Sequence, residues 1–247
     1  MIIDGKKIAD KILLKVRDKI EKKKLKVKLA VVLVGDDFAS RVYVKRKQEA
    51  CKKVGIVFEL FEFPSEISEL DLKNKINKIA DSPDVSGILV QLPLPKHLDS
   101  EFVLKSIPEN KNAESVSPVI SAVEEIIKEY GVDLAEKKIS LVGGGKLVGA
   151  PLGRWLNKKG LDFFDIDGIK KADIVISGVG KPKIITGEMV KEGVVVIDIG
   201  FSHDENGRAV GDVDFESVSL KAKLITPVPG GVGPITIACL LKNLVNG

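Results

Sequence analysis

The chain has 247 residues, of which 44% are hydrophobic and 30% charged, the balance of a globular protein able to bury one large core or two small ones. Its 39 basic and 35 acidic residues leave a formal net charge of +4, mildly favourable to anionic small molecules but too small and too evenly spread for nucleic-acid binding. No apolar stretch is long enough to span a bilayer and the N-terminus lacks an apolar signal core, so a cytoplasmic protein without a membrane partner is expected.

Taken in chain order, Ile8, Ile12, Val16 and Ile20 recur at helical spacing and predict a first helix running toward Lys24. Leu29–Val34 is a continuous apolar run that ends in Gly35-Asp36-Asp37, the pattern of a buried parallel strand and its exit loop. A helix over 40–54, a strand over 56–61, a helix over 68–81 and a strand over 87–91 follow. Beyond Lys111 the alternation restarts, with a helix over 121–130 and a strand over 139–142 that enters a glycine turn. Short apolar runs at 161–164, 173–177, 194–199 and 224–225 precede a final helix over 234–244. Alternating strands and helices place the chain in the α/β class, with mostly parallel sheets. Junctions at 110–118 and 227–234 divide it, and the last helix, lying past the second, is free to return to the first domain. Cys51 and Cys239 both fall in apolar helical patterns, so two buried thiols are expected, and no Cys/His cluster suggests a metal.

Four segments carry candidate chemistry. Gly143-Gly144-Gly145-Lys146-Leu147-Val148-Gly149 follows a strand and precedes a helix, the setting in which a glycine turn lets backbone N–H groups approach a pyrophosphate. Its spacing is GxGxxxG, and a tight strand–helix turn of any α/β domain would look similar. Asp165 stands about twenty residues on, after the next strand, where dinucleotide folds often place an acid on the ribose hydroxyls. Tyr43 and Lys47, four apart, share one face of a helix that follows a parallel strand. At the carboxyl end of such a strand a lysine loses solvent, which lowers its pKa toward a useful acid–base range; on a lysine-rich helix the plainer alternative is an exposed pair. Gln91 ends a buried strand that runs into Pro-x-Pro, either offering an amide to a crevice or merely terminating the strand. Thr226–Thr236 is dense in Pro and Gly, either a ligand-bordering loop, with room for a cis proline, or a rigid hinge. Asp198-Ile-Gly200 and Gly211-Asp-Val-Asp214 add polar turns at further strand ends.

In this order, Asp4-Gly5-Lys6, Val34-Gly35-Asp36, Tyr43 to Lys47, Gly87-Ile-Leu-Val-Gln-Leu-Pro-Leu-Pro-Lys96, Ala172-Asp173-Ile174, Gly180-Lys-Pro182, Val196–Gly200, Gly211-Asp-Val213 and Thr226–Pro234 resemble the bifunctional methylenetetrahydrofolate dehydrogenase/cyclohydrolase family over essentially the whole chain. The resemblance implies a folate-binding catalytic domain of residues 1–114 with 233–247, and a Rossmann-like NAD(P)-binding domain of residues 115–232. It implies hydride transfer from methylenetetrahydrofolate to NADP, with NAD as the alternative, followed by hydrolysis of the methenyl product to 10-formyltetrahydrofolate. Lys47 becomes the essential group of the hydrolytic step, Tyr43 stacks on the folate, and Gln91 holds Lys47 and substrate in register. Glu114, Pro229, Gly230 and Gly231 join Tyr43 and Gln91 at the folate. Gly143, Gly144, Gly145, Lys146, Val148, Gly149, Asp165, Gly178, Val179 and Gly180 line the cofactor. A homodimer is the family expectation.

The sequence also departs from the family. Lys111-Asn-Ala-Glu-Ser115 replaces the usual Lys-Asp-Val-Asp-Gly, so Glu114 carries one more methylene than the usual aspartate. A usual threonine is absent around Pro118–Ile120, and Gly143–Gly145 replaces a Gly-Arg-Ser that grips the 2′-phosphate of NADP. Lys146 and Lys170 are the cations left to compensate. Two other readings therefore stand beside the bifunctional enzyme: a cyclohydrolase with weak or no dehydrogenase activity, and a non-catalytic folate- or nucleotide-binding homologue. A different pterin carrier is a third.

Overall fold

The helical spacing at the N-terminus is realised in α1 (Gly5–Lys23), with Ile8, Ile12, Val16 and Ile20 forming its buried face. The structure, a computed structural model, describes residues 1–246. The apolar run becomes β1 (Lys28–Val34), buried from Leu29 to Val34 as a central parallel strand must be. Asp37 then starts α2 (Phe38–Val54) by accepting the Ser40 N–H at 2.7 Å, and Gly55 ends it in the left-handed region at φ 79°. β2 (Val57–Phe63) starts one residue after the expected strand, because the Ile56 N–H still closes the helix terminus on the Cys51 carbonyl, and it runs two residues beyond the expected end. α3 (Glu69–Ala80), capped by Ser68, and β3 (Gly87–Val90) follow. The short helix α4 (Ser100–Lys105), capped by Asp99, has too few apolar positions to show a period and was not expected.

The second alternation opens with α5 (Pro118–Tyr130), three residues earlier than the periodicity suggests. Pro118 takes the first turn, where its missing N–H costs nothing, and Ser117 caps it. Then come β4 (Ile139–Val142), α6 (Gly149–Lys158), β5 (Phe163–Phe164), β6 (Ile174–Ser177) and β7 (Val195–Asp198). A small antiparallel pair, β8 (Ser202–His203) and β9 (Ala209–Val210), leads to α7 (Phe215–Ser219), β10 (Leu224–Ile225) and α8 (Val232–Asn246).

The chain gathers into two compact units, one of residues 1–10 with 117–236, the other of residues 11–116 with the stretch from Ile237 onward. The N-terminal residues join the first of these through backbone pairing: the Ile3 N–H donates to the Ile225 carbonyl at 2.8 Å and the Ile225 N–H to Met1 at 3.1 Å. That unit holds a five-stranded parallel sheet in the order β10-β7-β6-β4-β5, in which β4 is the strand where the winding reverses. Its core includes Val175, Val194, Val196 and Val218. The other unit is built on a three-stranded parallel sheet, β2-β1-β3, packed against Leu72 and Ile76 of α3. Cys51 and Cys239 are both buried and unbridged. Among the described residues no helix is long and apolar enough to cross a membrane.

Ile76 is fully buried at the centre of the smaller sheet's core. Ile76→Ala is expected to lower the unfolding free energy by about 2–5 kcal/mol in denaturant titrations, because the cavity it leaves closes only partly.

Candidate active site

Parallel strands send all their exit loops to one edge, and both sheets use that edge to assemble polar groups. In the three-stranded sheet, β1 leads into α2, which carries Tyr43 and Lys47 on one face. The neighbouring β3 delivers Gln91, whose N–H still donates to the Val32 carbonyl at 2.8 Å. Gln91 is only 8% exposed, and both ends of its amide are engaged: Nε2 donates to the Leu92 carbonyl at 2.6 Å, and Oε1 is turned toward Lys47. The Lys47 Nζ donates to that oxygen at 2.7 Å. Both Leu92–Pro93 and Val228–Pro229 are cis peptides.

A further strand-like contact brings in Glu114. Asn112 bridges Ile88 in parallel and the Ala113 N–H donates to the Ile88 carbonyl at 3.1 Å, which sets residue 114 beside the end of β3. Glu114 keeps an accessible edge but is surrounded densely enough for burial to push its carboxyl above the usual range, against the pull of Lys47. Burial likewise pushes Lys47 below its usual value, opposed by the negative field of Glu114. Cys51, one helical turn beyond Lys47, is buried and its thiol is pushed up to about 12, so it stays neutral. Tyr43 is half-buried and its hydroxyl is held above the ordinary phenol value by burial, while Arg46 lies 5.7 Å from its ring centre. The structure thus brings together Tyr43, Lys47, Gln91 and Glu114, with a desolvated amine as their chemical centre.

The five-stranded sheet builds the second constellation around β4. The glycine turn is tightly closed: a β-carbon at Gly149 would lie 1.8 Å from the Gly143 carbonyl oxygen, so only glycine lets α6 start there. No side chain caps α6, whose first residues follow the turn directly. Gly144 and Gly145 are exposed, with open space where a side chain would project, and Lys146 is exposed beside them. The loop after β6 adjoins this turn, since a β-carbon at Gly178 would meet Val148 at 2.3 Å and one at Gly143 would meet Val179 at 2.9 Å. Asp165 follows edge strand β5 and is exposed, its carboxylate accepting the Asp167 N–H at 3.1 Å. Lys170 is exposed in the 3-10 turn that follows. The Pro/Gly loop has Gly231 buried against Pro227 and Thr226, whereas Gly230, at φ 106°, faces open space and Pro229 is exposed.

Sequence reasoning noted Asp198 and Asp212 only as turn residues, yet both are buried polar anchors, 2% and 0% exposed. Asp198 accepts the N–H groups of Gly200 at 2.9 Å, Val213 at 3.0 Å and Asp212 at 3.2 Å. Asp-x-Gly at one strand end facing Gly-Asp at another was the available signal: each glycine leaves room for the other pair's carboxyl.

A doubly wound parallel sheet with a glycine turn, joined to a second α/β unit carrying a desolvated lysine, defines a two-domain enzyme of the nucleotide-dependent kind. The comparisons give the family. Residues 3–114 match the tetrahydrofolate dehydrogenase/cyclohydrolase catalytic domain and residues 117–247 match the NAD(P)-binding domain of the same family. A relative from Nautilia profundicola, a bifunctional protein FolD, is 46% identical over 99% of this chain and 95% of its own. The crystal structure of the bifunctional FolD enzyme from Campylobacter jejuni superposes with a TM-score of 0.93 at 36% identity, covering 100% of this chain and 97% of that one. The Trypanosoma brucei enzyme, complexed with NADP cofactor and inhibitor, gives 0.91 at 29% identity, covering 99% and 95%. This chain belongs to the tetrahydrofolate dehydrogenase/cyclohydrolase family.

Burial raises the Asp198 carboxyl from 3.8 to about 7, with the nearby Asp212 adding to the shift and three backbone N–H groups opposing it. Between those values the folded chain holds a proton that the unfolded chain has released, so this residue's contribution to stability falls as pH rises through the window. Asp198→Asn cannot titrate. The unfolding free energy of the native protein minus that of Asp198→Asn is expected to fall by a few kcal/mol, on the order of the linkage, between pH 4 and pH 8. A flat difference across denaturant titrations in that range would show that Asp198 ionises as an ordinary carboxylate.

Proposed function

We propose that this chain oxidises 5,10-methylenetetrahydrofolate to 5,10-methenyltetrahydrofolate with NADP and hydrolyses that product to 10-formyltetrahydrofolate. The names of its relatives support both activities, and the NADP of the Trypanosoma brucei neighbour supports the cofactor. By family resemblance residues 1–114 with 233–247 are the folate-binding catalytic part and residues 115–232 the cofactor-binding part, while by compactness residues 1–10 and 233–236 group with the five-stranded sheet. By family resemblance the enzyme works in the cytoplasm as a homodimer and supplies formyl groups to purine biosynthesis.

The observation that carries the reading is the Lys47–Gln91 bond of 2.7 Å at the end of two adjacent parallel strands, with Glu114 beside it. Tyr43 offers a ring face to the folate, and the amide of Gln91 holds the lysine where a reacting atom can meet it. Pro229, Gly230 and Gly231 border the folate on the Pro/Gly loop. Gly143, Gly144, Gly145, Lys146, Val148 and Gly149 cradle the pyrophosphate, Asp165 takes the ribose, and Gly178, Val179 and Gly180 complete the cofactor wall. The close approach of Gly149 to Gly143 and the uncapped start of α6 fit a dinucleotide there. A nicotinamide bound there would supply the hydride acceptor for the methylene carbon, and the oxidised folate would be a methenyl cation. A water then adds to that cation, and neutral Lys47 accepts the proton that the water loses. Breaking one of the two C–N bonds of the tetrahedral adduct, with a proton delivered to the departing nitrogen, gives the formyl product.

A second reading rests on Gly144 and Gly145, which present no side chain to the cofactor turn. It is a cyclohydrolase with weak dehydrogenase activity. Steady-state assays with methylenetetrahydrofolate, using NADP and NAD in parallel, separate the two. Turnover with NADP is expected; methenyl hydrolysis without turnover on either nucleotide would leave the cyclohydrolase alone, and binding without either activity would leave a folate-binding homologue.

Lys47→Ala is expected to slow methenyl hydrolysis at least about 100-fold, the usual contribution of a positioned acid–base group. Burial makes Lys47 lose its proton below the usual lysine value, and the Glu114 field opposes that loss. Glu114→Gln should therefore move the acidic limb of the hydrolysis pH profile to lower pH. A limb unmoved in Glu114→Gln, or moved upward, would remove Lys47 as the titrating group.

A further inference from the structure

Three consecutive backbone N–H groups of the loop after β6 converge on one side chain. Val179 donates to the Asp212 Oδ2 at 2.7 Å, and Gly180 and Lys181 donate to its Oδ1 at 2.8 and 2.9 Å. The Ser177 hydroxyl, at the end of β6, adds a fourth bond to Oδ2 at 2.7 Å. Such a run of amides is an anion-binding nest. Here the anion is a carboxylate of the chain itself, and Asp212 is completely buried.

Asp212 is held in turn. Asp198, the last residue of β7, accepts the N–H groups of Asp212 and Val213 at 3.2 and 3.0 Å, and its own N–H donates to the Thr226 hydroxyl at 2.7 Å. Space for both carboxyls is made by glycine. A β-carbon at Gly200 would lie 2.1 Å from the Asp212 carboxyl carbon, and one at Gly211 would lie 1.9 Å from an Asp198 oxygen. The two acids and two glycines interlock the loops that leave β6 and β7 with the segment after β9.

We propose that Asp212, anchored by Asp198, is a positioning residue for the dinucleotide, because it fixes the backbone of the Gly178–Lys181 loop against the glycine turn. This rests on the reading of Gly178, Val179 and Gly180 as cofactor-binding residues. The contacts of Gly178 with Val148 and of Val179 with Gly143 carry any displacement of this loop into the pyrophosphate cradle. The arrangement also sets what the loop can recognise. Its amides at 179, 180 and 181 are spent on Asp212, so it offers carbonyl oxygens to a ligand. Carbonyls above a buried carboxylate accept from donors such as ribose hydroxyls or a carboxamide and repel phosphate. The amides of this loop are thereby withheld from phosphate recognition.

Asp212→Asn keeps size and shape but turns an NH₂ toward at least one of the donating backbone N–H groups, which cannot reverse its role. Its cofactor KM is expected to rise about 10-fold or more with a smaller change in kcat, since a buried donor left unsatisfied is costly. Direct titration with NADPH should weaken equally, while hydrolysis of preformed methenyltetrahydrofolate stays within about twofold of the native rate, because that step needs no nucleotide. Ser177→Ala, which removes one bond and no fold element, should raise the cofactor KM about threefold. A folded Asp212→Asn variant with native NADPH affinity would overturn the positioning role while leaving the cofactor site intact. Should Asp212→Asn fail to fold, an unchanged KM in Ser177→Ala overturns it instead. Absence of NADPH binding to the native protein would overturn the underlying reading of the loop, and the proposal with it.

Discussion

The structure depends on a constraint of parallel sheets: strands that all run one way must release their chain at the same edge. Most groups with chemical potential here lie on the segments that follow such ends. Lys47 lies on the helix after β1, Gln91 follows β3, the glycine turn follows β4, and the Ser177–Lys181 loop follows β6. The topology supplies proximity between loops that are distant in sequence, such as Lys47 and Gln91 at a separation of 44 residues. Side-chain chemistry has only to refine what the sheet has already brought together.

That refinement in both units links a polar side chain withdrawn from solvent to the backbone through a second side chain. In one unit the Leu92 carbonyl holds the Gln91 amide, which holds the Lys47 amine. In the other the backbone of Asp212 is held by Asp198 and its carboxylate holds the next loop. Burial without a partner would cost several times what one hydrogen bond contributes, so each chain of contacts is cooperative. The difference lies in how completely the group is satisfied. Asp212 accepts four bonds and has no remaining call on a ligand, whereas Lys47 has one firm partner among its three donor positions and a lowered pKa. The first arrangement is closed on itself, and the second leaves donor positions open.

What could be read from sequence follows this division. The alternation of strands and helices, the face shared by Tyr43 and Lys47, and the glycine turn after 139–142 are local patterns, and they appear in the structure where periodicity placed them. α4 and α7 span six and five residues, too short for a helical period to emerge. Ile56 looked like strand because it is apolar and β-branched, but its N–H is claimed by the preceding helix. Pro118 closes the junction over 110–118 in the sequence, yet it also occupies the first turn of α5. The roles of Asp198 and Asp212 were hidden because they arise from pairing between loops; nothing in the local composition of Gly211-Asp-Val-Asp214 says that three amides thirty residues earlier will converge on it.

Glu114 belongs to the same setting. It stands on a stretch paired to β3 through Asn112 and Ala113, so its backbone position is fixed by the sheet and only the side chain can adjust. The Asn112 side chain accepts the Glu114 N–H at 2.9 Å, which holds that backbone further. The glutamate side chain reaches out from that fixed backbone and remains exposed along part of its length. Its field still opposes the loss of the Lys47 proton, while burial favours neutral forms of both groups. Burial and attraction act in opposite directions on each partner. The balance between them sets how readily Lys47 gives up its proton, and the carboxyl at 114 is the charged partner in that balance.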